Sequence, residues 1–116
     1  MVSIFYWNTA GKKELTALAL EDDREHDFIA IQEPWINSLT KGVYCPNSSR
    51  YRAIYYKGRA ALYVHKRHEI STWEQDGGHD WCKATLQSQG RAVTVFSIYS
   101  HPSPNEEGSP LEYLTA

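Results

Sequence analysis

The pattern of apolar positions predicts a strand, a helix and a second strand at the start of the chain. Residues 2–8 form a largely apolar run that is followed by a break at Gly11. Apolar side chains then recur every three or four residues over 12–21, which is the spacing of a short amphipathic helix. A continuously apolar run follows over residues 27–32. This order predicts two parallel, buried strands joined by a helical crossover.

Beyond a loop between Pro34 and Ser49, the pattern changes to strands that are joined by short turns. These strands are predicted over residues 51–56, 60–65, 69–74, 81–88 and 91–99. Residues 109–112 read as the opening of a second helix. We therefore expect an α/β or α+β fold in one domain over residues 1–116. Its core is a mixed, mainly antiparallel sheet of about six or seven strands, with one packed helix and the start of a second.

Length and composition narrow the class of protein. A chain of 116 residues with 13% aromatic side chains forms one folded domain and is not a disordered tail. No apolar run approaches the roughly 20 residues that a membrane-spanning helix needs. The first residues lack a basic stretch before an apolar one, so we expect no signal peptide. Cys45 and Cys82 are too few for a disulfide framework, so we expect free thiols. These observations predict an intracellular protein, nuclear or cytoplasmic, without a membrane partner.

Charge is segregated along the chain. Residues 34–68 hold seven Lys and Arg and no Asp or Glu, whereas the segments on either side carry net charges of −4 and −5. The same segment is rich in tyrosine, so it can neutralise phosphates and stack against bases. The candidate nucleic-acid contacts are Arg50, Arg52, Lys57, Arg59 and Tyr55. The alternative left open is a pair of strands whose solvated cations discourage edge-to-edge aggregation.

Polar residues end three of the predicted strands. The first strand ends in Asn8, the second runs into Gln32-Glu33-Pro34-Trp35, and the last ends in Tyr99 followed by Pro102. In this order and spacing the chain resembles the N-terminal half of the endonuclease/exonuclease/phosphatase family. It is most similar to the apurinic-endonuclease-like domains that precede reverse transcriptase in non-LTR retrotransposons, fungal ones above all. The resemblance implies half of a two-sheet β-sandwich.

The resemblance also implies a function and a set of site residues. The family hydrolyses phosphodiesters with Mg²⁺ or Mn²⁺, so a DNA endonuclease module of a retroelement is the expected activity. Glu33 would be the metal ligand, since Mg²⁺ is held by one or two carboxylates. Asn8 would lie in the metal or nucleophile site, and Tyr99 would contact the scissile phosphate. Gln32 would contact and support these catalytic residues without itself taking part in the reaction.

Two motifs that complete the family's active site do not occur in these 116 residues. They are a Gly-Asp-Phe-Asn-like segment and a Ser-Asp-His-like segment, which supply the acid–base group and the phosphate-polarising His. We therefore expect a truncated domain with weak metal binding and no activity alone. Two alternatives stay open. One is a non-catalytic remnant that binds nucleic acid or protein; the other is a half-domain that dimerises or pairs with a second chain over its exposed sheet.

Overall fold

The computed structural model describes residues 2–55, 57–68, 73–88 and 90–100, which form a mixed α+β fold of seven strands and one helix. The elements are β1 (Ile4–Asn8), α1 (Lys13–Glu21), β2 (Phe28–Gln32), β3 (Tyr51–Tyr55), β4 (Ala60–His65), β5 (Trp73–Gly77), β6 (Trp81–Ser88) and β7 (Arg91–Ile98). The opening strand–helix–strand unit is confirmed, and β1 and β2 are parallel. The expected helix opening at 109–112 lies outside the described residues.

The strands form two sheets, so the prediction of one sheet with six or seven strands is wrong. The first sheet has the order β1-β2-β4-β3, and the second has the order β5-β6-β7. All neighbouring strands except β1 and β2 are antiparallel. The cause is a row of apolar side chains on β6 and β7, which is buried against the first sheet and so keeps these strands from extending it. That row is Cys82, Ala84, Leu86 and Val95.

The first sheet lies between two apolar layers. On one face, Phe28, Ala30 and Leu62 pack against the second sheet. On the other face, Ile29 and Ile31 pack together with the buried side of α1. Because β2 and β4 are covered on both faces, their sequences are continuously apolar.

Strand β7 buries one face and exposes the other. Val95 and Ser97 are buried against the first sheet, but Thr94 and Phe96 on the opposite face are exposed. The inner face of β7 is thus covered by the first sheet. No helix among the described residues is long and apolar enough to cross a membrane.

Both cysteines are free thiols, as predicted. Cys82 lies in the layer between the two sheets, whereas Cys45 packs on the helix side of the first sheet. The sheet itself therefore separates them. Burial raises the pKa of Cys82 to about 12, so this thiol stays protonated in the native protein.

Asp27 ties together the edge of the first sheet at which β2 begins. Its carboxylate accepts hydrogen bonds from the Ser3 amide at 2.8 Å, the Arg67 guanidinium at 2.6 Å and the His68 ring at 2.9 Å. Burial opposes ionisation of this carboxyl group. The Arg67, Ser3 and His68 hydrogen bonds outweigh that effect and lower the pKa of Asp27 from 3.8 to about 2.

Replacing Asp27 by Asn should lower the free energy of unfolding by about 2 kcal/mol near neutral pH, since charge-assisted hydrogen bonds are lost. A lowered folded-state pKa stabilises the protein above the unfolded-state pKa of 3.8, and this contribution disappears as the pH falls towards 2. Urea unfolding should therefore show the difference between wild type and Asp27→Asn shrinking from about pH 5 downwards. Asp23→Asn, at an exposed position, is the control. A difference that does not change with pH would contradict this account.

Candidate functional site

Asn8 and Glu33 meet at the carboxyl edge of the first sheet. Strands β1 and β2 are parallel and in register, with Asn8 opposite Gln32, so both chains leave the sheet at the same edge. The Asn8 Nδ2 group donates a hydrogen bond of 2.7 Å to Glu33 Oε2. The two residues lie side by side, as the parallel pairing predicts. Edges of this kind are where open α/β sheets bind ligands.

The backbone of Glu33 is held in a strained conformation. Its φ is 49°, in the left-handed region that non-glycine residues rarely adopt. Its amide donates to the Arg59 carbonyl at 2.8 Å, and its own carbonyl accepts from the Gly11 amide at 2.7 Å and Thr9 Oγ1 at 3.1 Å. These three hydrogen bonds fix the direction in which the carboxylate leaves the sheet. Strain of this type concentrates at functional sites.

Thr9 is a residue of this edge that the sequence reasoning missed. Its side chain is fully buried, and its amide also donates to the Gln32 carbonyl at 3.1 Å. The signal in the sequence was a polar residue directly after a strand, which reads equally well as part of a turn. Thr9 can hydrogen bond to the Glu33 carbonyl only because β2 lies next to β1. The residues around Thr9 in the sequence do not indicate that pairing.

Both polar atoms of the Asn8 side chain form hydrogen bonds within the protein. Asn8 Oδ1 accepts the Ala10 amide at 2.9 Å, while Nδ2 donates to Glu33. Asn8 therefore positions the carboxylate of Glu33.

A cavity of about 380 Å³ opens beside Glu33, and its lining includes Arg59 and Tyr99. The Arg59 guanidinium lies over the Tyr99 ring, 5.3 Å from its centroid. Arg59 Nε is also 4.0 Å from Asp80 Oδ1. The predicted residues Glu33, Arg59 and Tyr99 thus line one cavity.

Gln32, at the end of β2, lies near the side chain of Tyr6 of β1. Burial raises the pKa of Tyr6, and the nearby Gln32 side chain opposes that rise only in part. The Tyr6 hydroxyl lies 3.5 Å from the Ile98 carbonyl, to which it donates. Tyr6 therefore links the first sheet to the end of β7, directly before Tyr99.

The predicted nucleic-acid contacts divide over three places. Arg59, Lys57 and Tyr55 lie at the Glu33 edge, where the Tyr55 hydroxyl donates to the Gly58 carbonyl at 3.2 Å. Arg52 is exposed near the start of β3. Arg50 lies at the opposite edge of the sheet, where it forms an ion pair with Glu25 at 3.1 Å.

The carboxylate oxygen atoms at this edge suit a hard cation such as Mg²⁺ better than a soft metal ion. Among the described residues, no group of three or more His, Cys, Asp or Glu side chains is arranged to hold a metal ion. Glu33 supplies the carboxylate of the cavity lining. Mg²⁺ keeps several waters and needs one or two carboxylates together with substrate phosphates.

Comparison of the chain with family models, with curated proteins and with solved structures finds no match in any of the three.

One backbone contact joins the turn before β6 to this edge, and a second holds Tyr99 beside that turn. The Arg59 amide donates to the His79 carbonyl at 2.6 Å, and the Tyr99 amide donates to the Asp80 carbonyl at 2.8 Å. Gly58 packs directly against the backbone of His79, so that a Cβ at this position would overlap the His79 carbonyl group. The turn after β3 and the turn before β6 can approach each other only because residue 58 has no side chain.

Replacing Gly58 by Ala should lower the free energy of unfolding by at least ~2 kcal/mol, because backbone on both sides must move to admit the methyl group. Gly42→Ala is the matched control, since its added Cβ would meet no atom closer than Thr40 Oγ1 at 3.6 Å. Urea denaturation of both variants measures the difference. Equal stability of the two variants would show that the contact between the turns is not rigid.

Proposed function

We propose that the edge formed by Asn8, Glu33, Arg59 and Tyr99 binds a divalent cation together with a phosphate group of a nucleic acid. The chain would then be a DNA-binding module of the endonuclease/exonuclease/phosphatase type, as in the nuclease domains of retroelements. The observation that carries this proposal is the 2.7 Å hydrogen bond from Asn8 to Glu33, at the mouth of a cavity that Arg59 and Tyr99 also line.

Each residue has a separate task in this proposal. Glu33 ligates Mg²⁺ or Mn²⁺, and Asn8 holds its carboxylate in one orientation. A bound cation would neutralise charge on the phosphate oxygens. Arg59 lies beside the same opening with a permanent positive charge, and it is suited to paired contacts with phosphate. Tyr99, held by the Asp80 carbonyl through its backbone, presents its hydroxyl to that phosphate.

The proposal separates binding from cleavage. These residues attract and orient a phosphodiester, but hydrolysis also needs a group that moves a proton at the attacking water. The segments that supply this group in the family do not occur in the 116 residues. We therefore propose that the chain by itself binds DNA without cutting it.

A purely nucleic-acid-binding module is the second candidate. The observation in its favour is that Arg59, Lys57 and Tyr55 share the Glu33 edge with Tyr99, so cations and aromatic rings stand together whether or not a metal ion binds. The two candidates differ in whether Glu33 contributes through a metal ion.

Electron paramagnetic resonance of Mn²⁺ tests the role of Glu33, because the signal of the free ion falls when the ion binds. With a twelve-residue oligo(dT) present, Glu33→Gln should weaken Mn²⁺ binding at least about tenfold, since the carboxylate of the cavity is lost. Asn8→Ala should weaken it about tenfold by freeing the carboxylate to rotate. Glu14→Gln, at an exposed position on α1, should change nothing.

Two results would contradict the proposal. Mn²⁺ binding that is equal in wild type and Glu33→Gln would remove the metal site and leave the second candidate. Metal-dependent nicking of supercoiled plasmid by the wild-type chain, abolished in Glu33→Ala, would show instead that these residues suffice for catalysis.

Salt dependence of DNA binding tests which cations face phosphate. Affinity falls by about one log unit per log unit of salt for each phosphate neutralised. Arg59→Ala should therefore weaken oligonucleotide binding and reduce that slope by about one. Arg50→Ala should leave the slope unchanged, since Arg50 lies at the far edge and already pairs with Glu25.

Arg24→Ala is the control for loss of one surface cation, because Arg24 is exposed and pairs with Asp22 at 2.8 Å. Binding is measured by fluorescence anisotropy at salt concentrations from about 50 to about 300 mM, a range over which the screening of exposed charges changes. A slope that falls equally in Arg59→Ala and Arg50→Ala would indicate a diffuse positive surface without a phosphate site at Glu33.

A further inference from the structure

The outer face of the second sheet carries a small apolar patch beside the candidate site. Trp81 pairs with Ile98 across β6 and β7, and Lys83 pairs with Phe96. These four side chains therefore project away from the buried Cys82. The Trp81 and Phe96 ring centroids are 6.5 Å apart, and Phe96 is 49% exposed. We refer to Trp81, Phe96 and Ile98 as the aromatic patch.

Tyr99 connects the aromatic patch to the Glu33 cavity. A second cavity, of about 360 Å³, is lined by the aromatic patch together with Asp80 and Tyr99. Tyr99 also lines the Glu33 cavity, and the Arg59 guanidinium lies over its ring. Tyr99 therefore lines both cavities. A ligand that carries an anionic group next to a flat apolar group has the chemistry to match the two linings.

We propose that the aromatic patch is a stacking site for an unpaired nucleobase whose neighbouring phosphate lies in the Glu33 cavity. This inference rests on the proposed function and extends it by naming single-stranded nucleic acid as the ligand. Bases stack on exposed aromatic rings with little regard to sequence, since every base has a π-face. In a duplex the base faces are already covered by their neighbours, so the ligand must offer an unpaired base.

The surroundings of the aromatic patch favour a small planar ligand over a protein surface. Lys83 flanks Phe96 with a positive charge, and the Thr85 and Thr94 hydroxyls close the next row by hydrogen bonding to each other at 2.8 Å. A stable protein interface buries about 800 Å² on each partner. Three partly covered side chains with a polar border fall well short of that area. A cation next to an aromatic face is the arrangement that single-stranded nucleic-acid sites use.

The test compares two fluorescein-labelled probes that carry the same number of phosphates, a twelve-residue oligo(dT) and a twelve-residue abasic strand. In fluorescence anisotropy, Phe96→Ala should weaken oligo(dT) binding by about 5- to 150-fold, the range expected for one lost stacking contact. It should leave binding of the abasic strand unchanged. Phe96→Trp should restore oligo(dT) binding. Leu39→Ala, at a position that is 90% exposed, is the control.

The contrary outcomes are distinct from those of the proposed function. Equal effects of Phe96→Ala on the two probes would overturn the stacking site. A wild-type dimer that Phe96→Ala dissociates in analytical ultracentrifugation would also overturn it and assign the patch to self-association. With Mn²⁺ present, Glu33→Gln should weaken the binding of both probes by the same factor. If Glu33→Gln has no effect while Phe96→Ala weakens oligo(dT) alone, the stacking site stands and the cation–phosphate site fails.

Discussion

The hydrogen bond from the Glu33 amide to the Arg59 carbonyl is the contact on which the candidate site depends. It continues the ladder between β2 and β4 one step past the end of β2, and so fixes Glu33 while its φ is positive. Gly11 and Thr9 then bind the Glu33 carbonyl from the side of β1. A left-handed non-glycine residue costs about 1–2 kcal/mol, and these contacts offset that strain. The carboxylate is directed by the backbone before any ligand arrives.

Arg59, which accepts this hydrogen bond, also joins the first sheet to the turn before β6. The Arg59 carbonyl accepts a hydrogen bond from the Glu33 amide. The Arg59 amide donates one to the carbonyl of His79, in the turn before β6. The next residue of that turn, Asp80, accepts the Tyr99 amide. A continuous set of backbone contacts therefore runs from β2 through the Gly58 turn to the end of β7. Glu33 and Tyr99 are brought to one cavity by main-chain geometry, so their relative placement does not require a large interface between the two sheets at this edge.

The sequence predicted the parts of this arrangement that depend on local pattern. Apolar runs on either side of a helical stripe were enough to pair β1 with β2, and that pairing alone brings Asn8 beside Glu33. The division into two sheets was not predictable in the same way. An alternating strand such as β7 shows which residues share a face, but not whether that face meets solvent, a helix or another sheet. The placement of Arg59 was also beyond reach, because it depends on a turn closing against His79, twenty residues along the chain.

The distribution of charge over the surface also could not be predicted from the order of residues along the chain. The segment 34–68 contains no acidic residue, yet folding brings acidic side chains from elsewhere to some of its cations. Arg50 meets Glu25, and Arg67 meets Asp27. Both pairs lie at the edge where β2 begins, so this edge is largely neutralised. At the other edge, Arg59 shares its opening with a carboxylate that is itself suited to a cation. Exposed charges act over only about 10 Å in salt. The electrostatic field that an approaching phosphate meets therefore depends on which charged side chains lie at the same sheet edge, and not on their order in the sequence.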